Sequence, residues 1–351
     1  MVNIKKILAF SSLALVMTLS LGGITAKASD TNFNVSRVAG ADRIATADSL
    51  AEKQFASSKT DNVVLVNGYG YADAVSATPL AKLLKAPILL TSGGSSLESE
   101  VSKTISDIGA KNVYIVGGTG VVSSSIETSL DSNYTVERIQ GTEDTTRMGT
   151  NAAVADKVIS MGGQKTGMLV NGQNGYADAL SVAAIAAQKG YPVLLASSTG
   201  VSDVVRDVID ENSLTVKAVG GDSVLPQSVV SSVNGTKVTG NTANRYDTNL
   251  AVLDYFSESY NGGIDFSTIY MAMGGNTDTQ FADALTASAA AANNGSPLVL
   301  TAQTANSSSV NARNYIISKN DGANIIIVGG TGVVTPEVAG LYSPFSIIDI
   351  Q

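Results

Sequence analysis

One segment of this chain is written three times. Asn67–Leu90, NGYGYADAVSATPLAKLLKAPILL, returns as NGQNGYADALSVAAIAAQKGYPVLL ending at Leu195 and, more loosely, as GGNTDTQFADALTASAAAANNGSPLVL ending at Leu300. Asp73, Asp178 and Asp283 stand 105 residues apart, and Pro87, Pro192 and Pro297 keep the same step. A period of that length is a whole domain, since solenoid repeats run only ~20–50 residues. The chain must therefore fold one kind of unit three times.

Each copy carries the same signals in the same order. An opening, RVAG from Arg37 and RIQG from Arg138, with KVTG from Lys237 in the third copy, leads to a second arginine that begins R-x-x-T: Arg43, Arg147 and Arg245. Helical periodicity follows, as in Ile44, Ala47, Leu50, Ala51 and Phe55. Short apolar runs come next, such as Val63–Val66, Pro87–Leu90 and Val113–Val116. The last run of each copy closes on a glycine pair: Gly117-Gly118, Gly220-Gly221 and Gly329-Gly330. Unalternated strands of this length, separated by helices, belong to a parallel sheet covered on both faces. Three α/β units are thus expected, over residues 35–135, 136–235 and 236–345, joined by short polar linkers near Asp131–Thr135 and Asn234–Lys237. Ser124 and Glu127 have the spacing of a capping box, and Thr335-Pro336 that of an N-cap followed by proline. Asp73, Asp178 and Asp283 fall in the first turn of a helix, where the dipole favours an acid. That helix is poor in large side chains, as in Ala289–Ala292, so its face is expected to pack at the junction of the units.

Composition narrows the function. Lys5 and Lys6, an apolar run from Ile7 to about Ile24 and Ala26-Lys27-Ala28 have the layout of a secretory signal peptide over residues 1–28. Without those residues, which hold three lysines and no acid, 19 basic and 30 acidic residues remain, a net of −11. That balance points away from nucleic acid and from an acidic membrane as partners. Any anionic ligand has to be met by a local cluster of positive charge. The chain has no cysteine, so its cores replace disulfides, and no histidine, which removes the commonest metal ligand and general base. No metal or cofactor is expected. No second long apolar run, sortase-type motif or lipid-attachment cysteine follows the leader, so retention at a surface would rest on non-covalent contacts.

A tandem of three units, each with R-[VI]-x-G or its lysine variant, R-x-x-T, ADA[LV][ST], P-[ILV]-[ILV]-L and VGG, resembles the cell-wall-binding repeat type 2 family over Arg37 to about Ser343. The resemblance implies Rossmann-like units arranged as a pseudo-trimer within one monomeric chain. It further implies a secreted protein at a Gram-positive surface, held by an anionic secondary wall polymer. In that family the proline strand is associated with wall anchoring, which here falls on Pro87–Leu90, Pro192–Leu195 and Pro297–Leu300.

Seven arginines follow the leader, and Arg37, Arg43, Arg138, Arg147 and Arg245 sit in the repeated openings, with Lys237 completing the set. A guanidinium binds phosphate or carboxylate in a bidentate way that lysine does not match, so these are the candidate polymer contacts. The same recurrence would arise from internal ion pairs to Asp42, Asp144 or Asp247. The glycine pairs at the strand ends could offer backbone N–H groups to an anion, or simply make a tight exit from a buried strand. On physical grounds the Pro87–Leu90 strand and its counterparts read as buried. Ser76, Ser181 and Thr286 have no histidine to activate them. Three functions are compatible with these features: a non-catalytic wall-binding protein, a structural component of a surface layer, or a wall hydrolase working through a carboxylate pair. The first accounts for most of the motifs.

Overall fold

The computed structural model describes residues 33–275, 277, 280–343 and 348–350; the expected signal peptide lies outside them. The first copy runs β1 (Asn34–Val38), α1 (Arg43–Phe55), β2 (Asn62–Asn67), α2 (Tyr71–Leu84), β3 (Ile88–Thr91), α3 (Ser99–Asp107), β4 (Asn112–Val116) and α4 (Ser124–Asp131). The second follows as β5 (Thr135–Ile139), α5 (Arg147–Ser160), β6 (Thr166–Asn171), α6 (Tyr176–Lys189), β7 (Val193–Ala196), α7 (Asp203–Glu211), β8 (Thr215–Ala218) and α8 (Gln227–Ser231). The third is β9 (Thr236–Lys237), α9 (Arg245–Ser257), β10 (Thr268–Met273), α10 (Ala282–Asn294), β11 (Leu298–Thr301), α11 (Ser307–Lys319), β12 (Asn324–Val328) and α12 (Pro336–Gly340), before a last strand β13 (Ile348–Ile350).

The strands form three sheets, ordered β3-β2-β4-β5, β7-β6-β8-β9 and β11-β10-β12-β1-β13, and every pairing is parallel. Val63–Val66 and Leu89–Leu90 are wholly buried, as a sheet with helices on both faces requires. Sheet and sequence copy are offset by one strand. The opening of copy two, β5, completes the first sheet, and the opening of copy three, β9, completes the second. The opening of copy one, β1, crosses the whole molecule to lie between β12 and β13. Each unit thus lends its neighbour a strand, and the last exchange closes the set into a ring.

At the centre, α2, α6 and α10 pack against one another. Small side chains allow that approach: Ala289–Ala292 are buried, as are Ala183, Ala184 and Ala186 of α6. Tyr71, Tyr176 and Phe281, one from each copy, meet at the pseudo-three-fold axis with ring centroids 5.9–6.3 Å apart. Aromatic pairs at these spacings add to the burial energy. The outer helices then lean across the seams, α5 on α2, α9 on α6 and α1 on α10.

Two local expectations change. The N-cap of α4 is Ser123, whose hydroxyl accepts from Ile126 N, so the box from Ser124 to Glu127 does not form; Glu127 pairs with Arg138 instead. Thr335 does stand at the N-cap with Pro336 following, but its hydroxyl makes no capping bond.

Candidate functional site

The first basic residue of each opening is held inside the fold. Arg37 is 4% exposed; its Nη1 donates to Gly329 O (2.5 Å) and its Nη2 to Val334 O (2.9 Å). Arg138 donates from Nη1 to Gly117 O (2.8 Å), from Nη2 to Ser123 O (3.4 Å) and from Nε to Glu127 (2.8 Å). Lys237 donates to Asp222 in the corresponding turn at 2.5 Å. Strand exchange places each of these side chains on the glycine-pair turn of the preceding sheet, where it braces the loop. Their donors therefore go to carbonyls and acids of the fold, rather than to the surface where a polymer contact was expected.

The proline strands are equally enclosed. Pro87, Pro192 and Pro297 are buried, and Leu90, Leu195 and Leu300 are completely so. Each proline carbonyl accepts from the neighbouring strand: from Val64 N, Met168 N and Tyr270 N at 2.9–3.1 Å. These strands lie at sheet edges, and buried asparagines finish the outer side of two of them. Asn151 donates to Val193 O and accepts from Leu195 N, and Asn249 does the same for Leu298 O and Leu300 N. These six residues are core, with no face open to a direct polymer contact.

The glycine pairs carry a different geometry. Gly117, Gly220 and Gly329 have φ of 122°, 141° and 110°, a region an L side chain rarely enters. A Cβ on Gly117 would stand 2.9 Å from Asp73 Oδ2, and one on Gly329 2.5 Å from Asp283 Oδ2. The repeated aspartate is thus seated under the turn, with Gly118 and Gly330 beside it facing outward clefts. Asp73, Asp178 and Asp283 are indeed first-turn acids, yet burial raises each of them to about 6. Desolvation outweighs the helix dipole here. An arginine tempers each rise, and it comes from the next unit: Arg147 for Asp73, Arg245 for Asp178 and Arg43 for Asp283. None of Asp42, Asp144 or Asp247 takes that part; Asp42 caps α1.

The second arginines are held alike. Arg43 Nη1 donates to Gly68 O (2.8 Å), Arg147 Nη1 to Gly172 O (2.8 Å) and Arg245 Nη1 to Gly275 O (2.6 Å) and to the Tyr176 hydroxyl. Each guanidinium also lies over a tyrosine, Arg43 on Tyr69 at 4.5 Å, Arg147 on Tyr71 at 5.9 Å and Arg245 on Tyr176 at 4.8 Å. Two seams open into clefts. One, of about 580 Å³, brings Arg147 and Thr146 of the second unit against Tyr69, Asp73 and Gly118 of the first. The other, of about 450 Å³, brings Arg43 of the first unit against Asp283 and Gly330 of the third. At the seam of the second and third units, Asn241 covers Gly221: its Oδ1 accepts from Asp222 N (2.9 Å), and its amide reaches the Asp222 carboxylate that binds Lys237.

Both clefts offer a guanidinium, carboxyl, hydroxyl and amide groups, and the larger adds aromatic faces. That donor set suits a saccharide with attached anionic groups. Sequence reasoning picked out the arginines and glycines but missed Tyr69 and the seam itself. The signal for the seam was present, because the aromatics at 71, 176 and 281 keep the 105-residue step.

The profile of a family described as Cell wall binding domain 2 matches residues 37–127, 138–230 and 240–339. Among curated proteins, the chain is 31% identical over 309 residues to the N-acetylmuramoyl-L-alanine amidase LytC of Bacillus subtilis, covering 87% of this chain and 57% of LytC. It is 32% identical over 207 residues to the amidase enhancer of the same organism, covering 53% of this chain and 28% of that protein. The chain therefore spans well under two thirds of either relative. Among solved structures, Cwp8 from Clostridium difficile superposes with a TM-score of 0.73 at 26% identity, over 90% of this chain and 52% of Cwp8. Cwp6 from the same organism gives 0.76 at 22% identity, over 95% of this chain and 51% of Cwp6, a likeness of fold.

Proposed function

The chain belongs to the cell wall binding domain 2 family, and on that premise we propose that it is a secreted, non-catalytic protein attached without covalent bonds to an anionic secondary polymer of a Gram-positive wall. The observation that carries this reading is the presence of three family repeats, at 37–127, 138–230 and 240–339, in one chain. The polymer sites we assign to the seam clefts, where Arg43 and Arg147 present a guanidinium beside the outward glycines Gly330 and Gly118. Arg37, Arg138 and Lys237 then act one step back, bracing the turns. Several linked weak sites on one rigid block give an avidity that a single cleft would lack. The similarity to LytC extends over 57% of that amidase, and no hydrolytic step is assigned to this chain.

The test is sedimentation of the protein with purified walls of the producing cells. It should pellet with intact walls and stay in solution once the secondary polymer has been stripped. Equal retention on stripped walls overturns the reading, and release of soluble fragments by the pure protein overturns its non-catalytic part.

A further inference from the structure

Two large apolar side chains stand in solvent at the mouth of the larger cleft: Tyr69, 61% exposed, and Val121, 39% exposed. The fold gives up the burial of an aromatic ring at Tyr69 and yet fixes it in place. Its backbone N–H donates to Asn67 Oδ1 (2.8 Å), and the Asn67 amide donates to Ser92 O (3.0 Å) and Val121 O (2.7 Å). The Arg43 guanidinium lies against the ring, 4.5 Å from its centre, and at this exposure the rest of the ring remains open. Tyr69 thus stands on a ridge: it lines the cleft of the first and second units, while the arginine on it lines the cleft of the third and first. No aromatic follows the corresponding glycine elsewhere, since Gln173 comes after Gly172 and Gly275 after Gly274.

We propose that Tyr69 is a stacking platform for a neutral pyranose ring, and that a single polysaccharide strand crosses the first unit over it, from one cleft to the other. The proposal rests on the wall-binding reading above. The electron-rich face of an aromatic ring attracts the weakly positive C–H face of a sugar, whereas a phosphate gains nothing there. Beside the ring, the Asp73 carboxyl and the amides of Gln173 and Asn174 can exchange hydrogen bonds with hydroxyls. The anionic groups of such a strand fall to Arg147 and Arg43 in the two clefts, and the ring between them reads a sugar. A ring already held by Arg43 loses little freedom on binding.

The chain has no tryptophan, so Tyr69→Trp places its one tryptophan, excited apart from the tyrosines, on the proposed platform. The probe is the wall polysaccharide of the producing cells, used intact and after hydrofluoric acid has cleaved its phosphodiesters to neutral oligosaccharides. With the oligosaccharides, the Tyr69→Trp emission should shift to the blue and saturate. Tyr69→Phe should bind within about twofold of the parent and Tyr69→Ala at least about tenfold more weakly, with unchanged melting temperatures. Equal affinity of Tyr69→Ala and parent, or an unmoved tryptophan spectrum at saturation, overturns the platform. Binding of the intact polymer with none of the neutral fragments also overturns it and leaves the wall-binding reading standing. If the parent ignores intact walls as well, both fall.

Discussion

Arg37 gives its guanidinium to the carbonyls of Gly329 and Val334, whereas Arg43, six residues on, faces a cleft. Two classes of variant should separate accordingly. Arg37→Ala and Arg138→Ala strand buried carbonyls and should cost at least ~2 kcal/mol each, read as a fall in the denaturant midpoint. Arg43→Lys and Arg147→Lys, which keep a positive donor for Gly68 O and Gly172 O and a charge beside the buried acids but lose the bidentate fork, should cost less stability and weaken wall binding. The acids opposite the cleft arginines set a pH dependence. With Asp73 titrating at about 6 opposite Arg147, the larger cleft is nearly neutral at pH 7.5 and becomes positive as the pH falls through 6. In the other cleft Asp42 adds a second acid beside Arg43, so protonation of Asp283 at about 6 removes negative charge there. Affinity for a phosphodiester polymer should therefore rise between pH 7.5 and 5, and Asp73→Asn with Asp283→Asn should give the high value at both. Stability follows the same sign. A carboxyl whose pKa is raised by folding contributes fully below about pH 4, and that contribution is lost as the pH climbs through the folded value. Asp48 extends the window to about 7: it is 5% exposed, neither oxygen has a well-formed hydrogen bond among the described residues, and desolvation outweighs what the nearby Thr104 hydroxyl, which donates to Glu52, offers it. Asp48→Ala, which copies Ala152 of the second unit, should raise the melting temperature at pH 7.5 by about 2 °C or more and much less at pH 4. Recurrence made the arginines legible in the sequence. Their division into braces and cleft residues was not legible, because each cleft arginine meets an acid more than seventy positions away in another unit.

Individual elements repeat the same design with different residues, and the differences are testable. The central helices end in a left-handed cap at Lys85, Gly190 and Gly295, with φ of 53°, 68° and 72°. Only the first asks a side chain to adopt that conformation, so Lys85→Gly should stabilise the protein by about 1 kcal/mol in urea unfolding. The edge strands β7 and β11 are finished by Asn151 and Asn249, each of which accepts from one buried N–H and donates to one buried carbonyl. Replacing either with alanine should cost ~2 kcal/mol or more and speed amide exchange at Leu195 or Leu300. Strand and helix positions were legible because runs such as Val63–Val66 need two covered faces, and the alanine-rich helices pack centrally as their small side chains suggested. The capping box was misread by one residue because Glu127, its apparent partner, is claimed by an arginine from the next copy.

Over the whole molecule, sequence copy and sheet do not coincide. Periodicity fixes the spacing of the repeat and says nothing of where a fold divides it, so β5, β9 and β1 read as openings of their own units although each completes another's sheet. Removing residues 1–40 should therefore leave β2–β5 protected from amide exchange and expose β12, at the far end of the chain, to it. The pairing of Asn34 with Asn324 also has a kinetic meaning. The two strands lie 290 residues apart along the chain, so they can pair only after everything between them has left the ribosome or the export channel. Docking of β1 should therefore come late in folding, and a brief protease pulse during refolding should cut β1 before it cuts β2–β5.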